Sequence, residues 1–358
     1  MKIGILTYHR AENYGAELQA VALRTTLERM GHKVFFIEYY PEYHKKIYAL
    51  PTLPWKKIIK HPRSHIPLIK DYIYKSLRKR NFKVFQKKYF DSHCTSLNDN
   101  FDIIIYGSDQ IWRKQRQLND YNPIYFGLNN IKTQKHISYA ASADIIPETK
   151  KDKIRFQQLL KHLDSISVRE TTLQNSIKEL GFNSVVSLDP AFLLSKDEWT
   201  HLLNLKKTTE EKYLLIYDLI GIINFQDVNI KAREYGLNVK KLTGGAYIEH
   251  KKTADITAGP LDFIEMIMNA ECVLASSFHG LVFSLIFQKP VLVTTLPQIN
   301  GRIKSLLELI NHPELYVDSK EISTCIPHEI DYTDINKRLS VLKDSSMEYL
   351  NKTINRNL

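Results

Sequence analysis

The 358-residue chain has only three cysteines, Cys94, Cys272 and Cys325, with no CxxC pair and no histidine at the spacing of a zinc motif. That scarcity argues against a disulfide framework or a structural zinc site and favours a reducing cytosol. No apolar run approaches the roughly 20 residues that cross a bilayer. The opening Met1-Lys2-Ile3-Gly4-Ile5-Leu6 turns polar at once, so it reads as a first strand and is too short for the core of a signal peptide. No GxGxxG follows that strand, which disfavours a nicotinamide cofactor, and Walker, HExxH and GxSxG motifs are missing as well. Gly244-Gly245 is an isolated glycine pair and proves little. Acids are scarce in one place. Between Pro41 and Phe90 only Glu42 and Asp71 face 14 lysines and arginines, against a formal charge of +11 for the whole chain. That segment holds the entire excess, and any partner explained by charge has to meet it.

What is present is the composition of a globular protein, 43% apolar and 25% charged, at a length suited to two α/β domains. Lys2–Thr7 reads as a strand, a helix runs from near Gly15 to Gly31, and Lys33–Tyr39 is the second strand, a βαβ opening with a right-handed crossover. The basic segment interrupts this rhythm with Pro51, Pro54, Pro62 and Pro67, then a helix from about Lys70 to Tyr89. Short apolar runs follow at Phe101–Tyr106, Lys135–Ala140, Ser165–Val168 and Ser184–Ser187, the pattern of a sheet covered on both faces. A second series runs through strands at Tyr213–Tyr217, Asn238–Leu242, Cys272–Ala275 and Pro290–Val293. Its helices fall at Asp227–Tyr235, Pro260–Asn269, His279–Phe287 and Arg302–Ile310, and a terminal helix at Thr333–Tyr349. The expected fold class is α/β, two Rossmann-like domains facing a central cleft. The first covers 1–200 with a basic helical insert at about 41–98, the second covers 201–358 with the terminal helix, and the boundary falls near Ser195–Lys207.

Ligands of open parallel sheets sit at strand carboxyl ends, and three loops there hold polar groups. In the first, Asn13, Tyr14 and Gly15 open a helix whose free N–H groups suit an anion, unless Asn13 is only a cap. In the second, Gly107 and Ser108 carry Asp109 to the cleft, either as a helix cap or as a general acid/base. In the third, Ser277, His279 and Gly280 start a helix, and the dipole there favours a neutral imidazole able to exchange a proton. Arg169 directly follows a strand, and its fork suits a carboxylate or phosphate, the alternative being a surface pair with Glu170. Arg302 at another helix start is a weaker candidate of the same kind.

Taken together, GILTYHRAENYGAELQAVAL, YGSDQIW, ISYAAS, SVRE, LDPAFLL and SSFHGLVFSLIFQKPV resemble the polysaccharide pyruvyl transferase family, in matching order, from about Lys2 to Ile310. The resemblance implies a fold like the two-domain nucleotide-sugar glycosyltransferases, phosphoenolpyruvate as donor substrate and a hexose of a surface polysaccharide as acceptor. The product is then a pyruvate ketal, made without a metal or other cofactor. By position it makes Asp109 and His279 catalytic, and Asn13, Tyr14, Gly15, Ser108, Arg169, Ser277, Gly280 and Arg302 substrate-binding. Many members carry an arginine just ahead of a leucine–histidine pair, where this chain has Ser277 ahead of Phe278-His279. It further implies an acceptor on a polyprenyl diphosphate carrier. The basic segment would then meet an anionic membrane surface, which places the enzyme in the cytoplasm or peripherally at the inner membrane face. No nucleic-acid-binding motif accompanies the charge. Two rivals remain open at this point, a nucleotide-sugar glycosyltransferase of the same architecture and a non-catalytic sugar or lipid-carrier binding protein.

Overall fold

A computed structural model describes residues 1–61, 63–143, 145–207, 211–243 and 254–355; Gly244-Gly245 and Pro62 lie outside them. In chain order the elements begin with β1 (Lys2–Leu6), α1 (Tyr14–Arg29) and β2 (Lys33–Ile37). The basic segment folds as α2 (Glu42–Ile47), α3 (Trp55–Lys60) and α4 (Ile66–Tyr89). Next come β3 (Cys94–Thr95), β4 (Asn100–Tyr106), β5 (Lys132–Ser138), α5 (Lys150–Leu160), β6 (Ser167–Val168), α6 (Thr171–Glu179) and β7 (Val185–Val186). After α7 (Lys196–Leu203) the second series runs β8 (Tyr213–Tyr217), α8 (Phe225–Glu234), β9 (Asn238–Leu242) and β10 (Ala254–Asp255). It closes with α9 (Pro260–Asn269), β11 (Cys272–Ala275), α10 (Phe278–Ile286), β12 (Val291–Val293), α11 (Gly301–Leu309) and α12 (Tyr332–Asn355).

Two parallel sheets result, in the orders β3-β2-β1-β4-β5 and β10-β9-β8-β11-β12. Parallel bridges Ile137↔Ser165 and Ala141↔Val168 carry the first sheet on to the β6-β7 pair. The central strands β4 and β8 are largely apolar runs because helices cover both faces: Ile103, Ile104 and Ile105 are all buried, as is every residue of β8. One apolar layer is shared between the domains and runs from Ile3 and Leu23 through Phe263 and Leu281 to Leu350. Most elements fall where periodicity puts them. The β5 ladder starts earlier than expected, since polar Lys132–Lys135 still pairs with β4, and it ends at Ser138, after which Ala140 takes a left-handed backbone (φ 47).

Three differences stand out. The segment read as a domain boundary, Ser195–Lys207, contains α7, started by a capping box in which Ser195 and Glu198 bond each other's backbone N–H. No helix follows Asp109, so it caps none; the chain there makes tight turns. The terminal helix α12 leaves the second half of the sequence and packs on the first sheet. There the Tyr349 hydroxyl donates to Ser138 O (2.8 Å) and Lys135 Nζ to Thr353 O (2.9 Å).

Candidate active site

The carboxyl ends of β1, β4, β5, β6 and β7 meet the start of α10 where the two domains touch. Beyond β4, Gly107 has φ 124, and a Cβ there would fall 2.3 Å from Tyr139 O, so the loop needs glycine. The Gly107–Ser108 peptide is cis. Ser108 is fully buried, and its Oγ donates to Ala140 O (2.9 Å) and lies 3.4 Å from Asp189 Oδ2.

Asp189, just past β7, is the hub. Its Oδ1 accepts from Ala191 N (3.0 Å), and its Oδ2 receives Arg169 Nη1 at 2.5 Å. His279 Nε2, from the other domain, stands 3.5 Å from the same oxygen, a contact longer than a well-formed hydrogen bond. Burial alone would push the Asp189 carboxyl up; contact with His279 and the Arg169 guanidinium outweighs it and holds the group below the usual carboxylate range. Burial works against the Arg169 charge, but the carboxylates of Asp189, Glu170 and Asp109 more than offset this and raise its pKa.

The rest of the Arg169 fork is unused. Its Nε and Nη2 are buried and make no hydrogen bond to any described residue. One face of the guanidinium lies 4.4 Å from the centre of the Phe278 ring, and Arg302 approaches the same ring at 5.6 Å. Beside Arg169, Ser142 Oγ donates to Glu170. A planar cation held along one edge by a carboxylate, with Nε and Nη2 still open, can take a carboxylate or phosphate as a bidentate partner.

Residues 13–295 match the family described as polysaccharide pyruvyl transferase. The chain belongs to that family. It is therefore a transferase of polysaccharide synthesis. Among curated proteins no sequence match is found. Likeness to solved structures is at low identity. A Listeria monocytogenes protein assigned as a UDP-N-acetylglucosamine 2-epimerase matches with a TM-score of 0.50 and 8% identity, covering 100% of this chain and 97% of its own. The E. coli heptosyltransferase WaaC with ADP matches with a TM-score of 0.41 and 11% identity over 99% of this chain and 100% of its own.

Within this pyruvyl transferase the expected site residues divide. Ser108, Arg169 and His279 come together around Asp189. Gly15 packs against the His279 ring: an added Cβ would lie 2.0 Å from it. Asp109 has a left-handed backbone (φ 72), its Oδ1 accepts from Gln110 N (2.8 Å), and its charge acts on Arg169 and on Tyr8, His44 and Tyr48. Asn13 and Ser277 act as helix caps, accepting from Ala16 N and Gly280 N at 3.1 Å each. Gly280 is a packing glycine against Ala275 and Tyr217. Tyr14 is an interdomain contact: its hydroxyl donates to Thr243 O (3.3 Å) and accepts from Arg78.

Sequence reasoning missed Asp189, although it stands at a strand carboxyl end within LDPAFLL; an Asp-Pro pair reads as a turn, and the pairing with Arg169 exists only in the fold. It also missed that His9, Glu38 and Cys94 converge within 4.8 Å. There the Arg10 guanidinium bonds Glu38 and reaches Cys94 Sγ (3.4 Å), so a cation already serves that carboxylate. Burial and Glu38 push the Cys94 thiol well up, away from the ligating thiolate.

Proposed function

We propose that this enzyme transfers the pyruvyl group of phosphoenolpyruvate to two hydroxyls of a hexose carried on a polyprenyl diphosphate, forming a pyruvate ketal and releasing phosphate. The observation that supports this reading most is the open, buried Nε/Nη2 edge of Arg169 at the domain junction, in a member of the pyruvyl transferase family. Such an edge fits the carboxylate or phosphate of the donor, and Arg302, on the same aromatic ring, is the second cation within reach. That second cation matters because Ser277 stands where many members have arginine.

The reaction balances without a redox partner. The methylene carbon of the donor takes a proton, and C2 becomes electrophilic. One sugar hydroxyl adds to C2 and loses its proton; phosphate leaves with the C–O bonding pair; the second hydroxyl closes the ring and loses its own proton. In this proposal Asp109 and His279 share the proton transfers, and Asp189 orients His279 while fixing Arg169. Burial strengthens each of these contacts relative to water.

The test is phosphate release from phosphoenolpyruvate with and without a lipid-diphosphate-linked hexose, on wild type, Arg169→Lys and His279→Ala. Acceptor-dependent release that His279→Ala loses, with a raised KM for donor in Arg169→Lys, is the expected result. Release from none of a panel of acceptors would overturn the reading. In that case, binding of a nucleoside diphosphate would point to sugar transfer, and acceptor binding without phosphate release to a non-catalytic scaffold.

A further inference from the structure

The α3–α4 insert is built inside out. The inner face of α4 carries Asp71 and Arg78 with Phe82, Phe85 and Tyr89, all buried. It is seated on both domains: Arg78 Nη2 donates to Glu12 O (3.1 Å), Asn81 Nδ2 to Thr257 O (2.9 Å) and Gln86 Nε2 to Glu17 Oε1 (2.5 Å). The outer face therefore has a fixed orientation. Along it run Ile66, Lys70, Ile73, Leu77, Arg80, Val84 and Lys87, spaced alternately four and three residues apart, and all are exposed. The one acid of the helix, Asp71, is on the inner side, in an ion pair with Lys75 (3.2 Å). Helix α3 repeats the arrangement, with Ile58 inward, Trp55 63% exposed and Ile59 78% exposed among Lys56, Lys57 and Lys60.

Of the eighteen exposed large hydrophobic side chains among the described residues, eight lie between Ile47 and Val84, a span of 38 residues in a chain of 358. Water offers nothing to that concentration of aliphatic surface. A groove of about 450 Å³ on the same side has Leu50 and Val84 as its apolar lining and Lys79, Arg80, Lys83 and Lys87 around it. Cations interleaved with aliphatic groups and the two aromatics Trp55 and Tyr74 match an interface whose outer layer is anionic and whose inner layer is hydrocarbon. A nucleic acid would use the cations and leave Ile59, Ile73 and Leu77 in water; an acidic protein would have little use for so dense a set of lysines around apolar side chains.

We infer that the outer face of α3 and α4 is a docking surface for an anionic lipid bilayer, with Trp55, Ile59, Ile73 and Leu77 entering the interface and Lys70, Arg80 and Lys87 meeting headgroup phosphates. This assignment is independent of the pyruvyl transfer chemistry. Among the described residues no helix is long and apolar enough to cross a membrane, so the contact is one of surface docking.

Trp55 reports on it directly, because the other two tryptophans, Trp112 and Trp199, are fully buried. Intact protein is mixed with phosphatidylglycerol/phosphatidylcholine vesicles and, separately, with pure phosphatidylcholine vesicles, and both tryptophan emission and co-sedimentation are read. The expected result is a blue shift and sedimentation with the anionic vesicles only, reduced by salt. Neutralising Lys70, Arg80 and Lys87 to Gln should weaken binding about a hundredfold, at about fivefold per cation. Ile59→Ser/Ile73→Ser/Leu77→Ser should weaken it at unchanged charge, with circular dichroism unaltered because these side chains are exposed. No binding to anionic vesicles at low salt, equal binding to neutral ones, or a self-associating species that the serine variant abolishes would each overturn the assignment. Turnover of a water-soluble acceptor analogue should be the same in all variants, which separates this result from the outcome for the chemistry.

Discussion

A buried ion pair stabilises only while both partners are present, and Asp189 is the point at which that shows in this site. Its carboxylate receives Arg169 at 2.5 Å in a fully buried setting. Replacing it by asparagine leaves a buried guanidinium without its main counter-charge, and breaking such a pair costs about 3–5 kcal/mol. The lower end, about 3 kcal/mol, applies because Glu170 and Asp109 also act on the cation. The pH dependence follows from the depressed native pKa of Asp189. Its contribution is complete above the ordinary aspartate value of about 4 and declines as pH falls below it. Urea midpoints of wild type and Asp189→Asn should differ most near neutrality and converge below about pH 4; parallel curves would remove Asp189 from its central place. At this scale the sequence was half legible. Arg169, Ser108 and His279 were visible as polar residues at strand ends, whereas Asp189, inside LDPAFLL, was not singled out because its pairing with Arg169 exists only in the fold. Asn13 and Ser277, flagged by the same rule, satisfy helix N–H groups, since a polar residue at a strand–helix junction serves a cap as readily as a ligand.

At the scale of elements, short continuous apolar strands were easy to read because burial on both faces leaves nothing for periodicity to confuse. Helix α7 was not read, although Ser195 and Glu198 spell a capping box, because the gap between two α/β series invites a linker. The basic insert was legible as a helical interruption, but not in its orientation: which face of α4 turns inward depends on Tyr14, Glu12 and Thr257, far away in sequence. Helix α2 holds a further consequence. His44 is enclosed by Tyr8, Tyr40, Tyr43 and Tyr48. Burial pushes its pKa down to about 4, against a weaker upward pull from Asp109. A histidine held neutral supports the fold fully above its unfolded pKa of about 6.5 and progressively less as pH falls toward its native value. The loss is on the order of 3 kcal/mol by pH 4. His44→Phe, which keeps the ring packing without a titrating group, should flatten the stability profile between about pH 6.5 and 4. An unchanged slope in the variant would mean that another group titrates there.

Across the whole molecule, the two halves are tied by more than the site. Chain order assigns α12 to the second half, yet Leu350 and Ile354 are fully buried and Ser346 Oγ accepts from Leu188 N (3.0 Å), so the helix is a strap across the first domain. A terminal helix was legible in the sequence as far as Tyr349; its destination was not, because nothing local distinguishes the near sheet from the far one. A strap of this kind makes unfolding of one domain expose apolar surface of the other, which is the physical basis of a single cooperative transition. Truncating a buried Leu or Ile to Ala costs about 2–5 kcal/mol through lost transfer energy and the cavity left behind. Leu350→Ala/Ile354→Ala should therefore do more than lower the melting temperature. With the strap loosened, the first domain loses its cover while the second keeps its own core of Leu214, Ile216, Val228 and Leu274. Calorimetry should resolve one transition in the wild type and two in the variant, the earlier one belonging to the first domain. Near-ultraviolet dichroism can assign it, because Trp112 packs on Phe126 (ring centres 5.0 Å apart) inside that domain. A single transition merely shifted downward would show instead that the shared apolar layer from Ile3 to Leu281, and not the terminal helix, couples the halves.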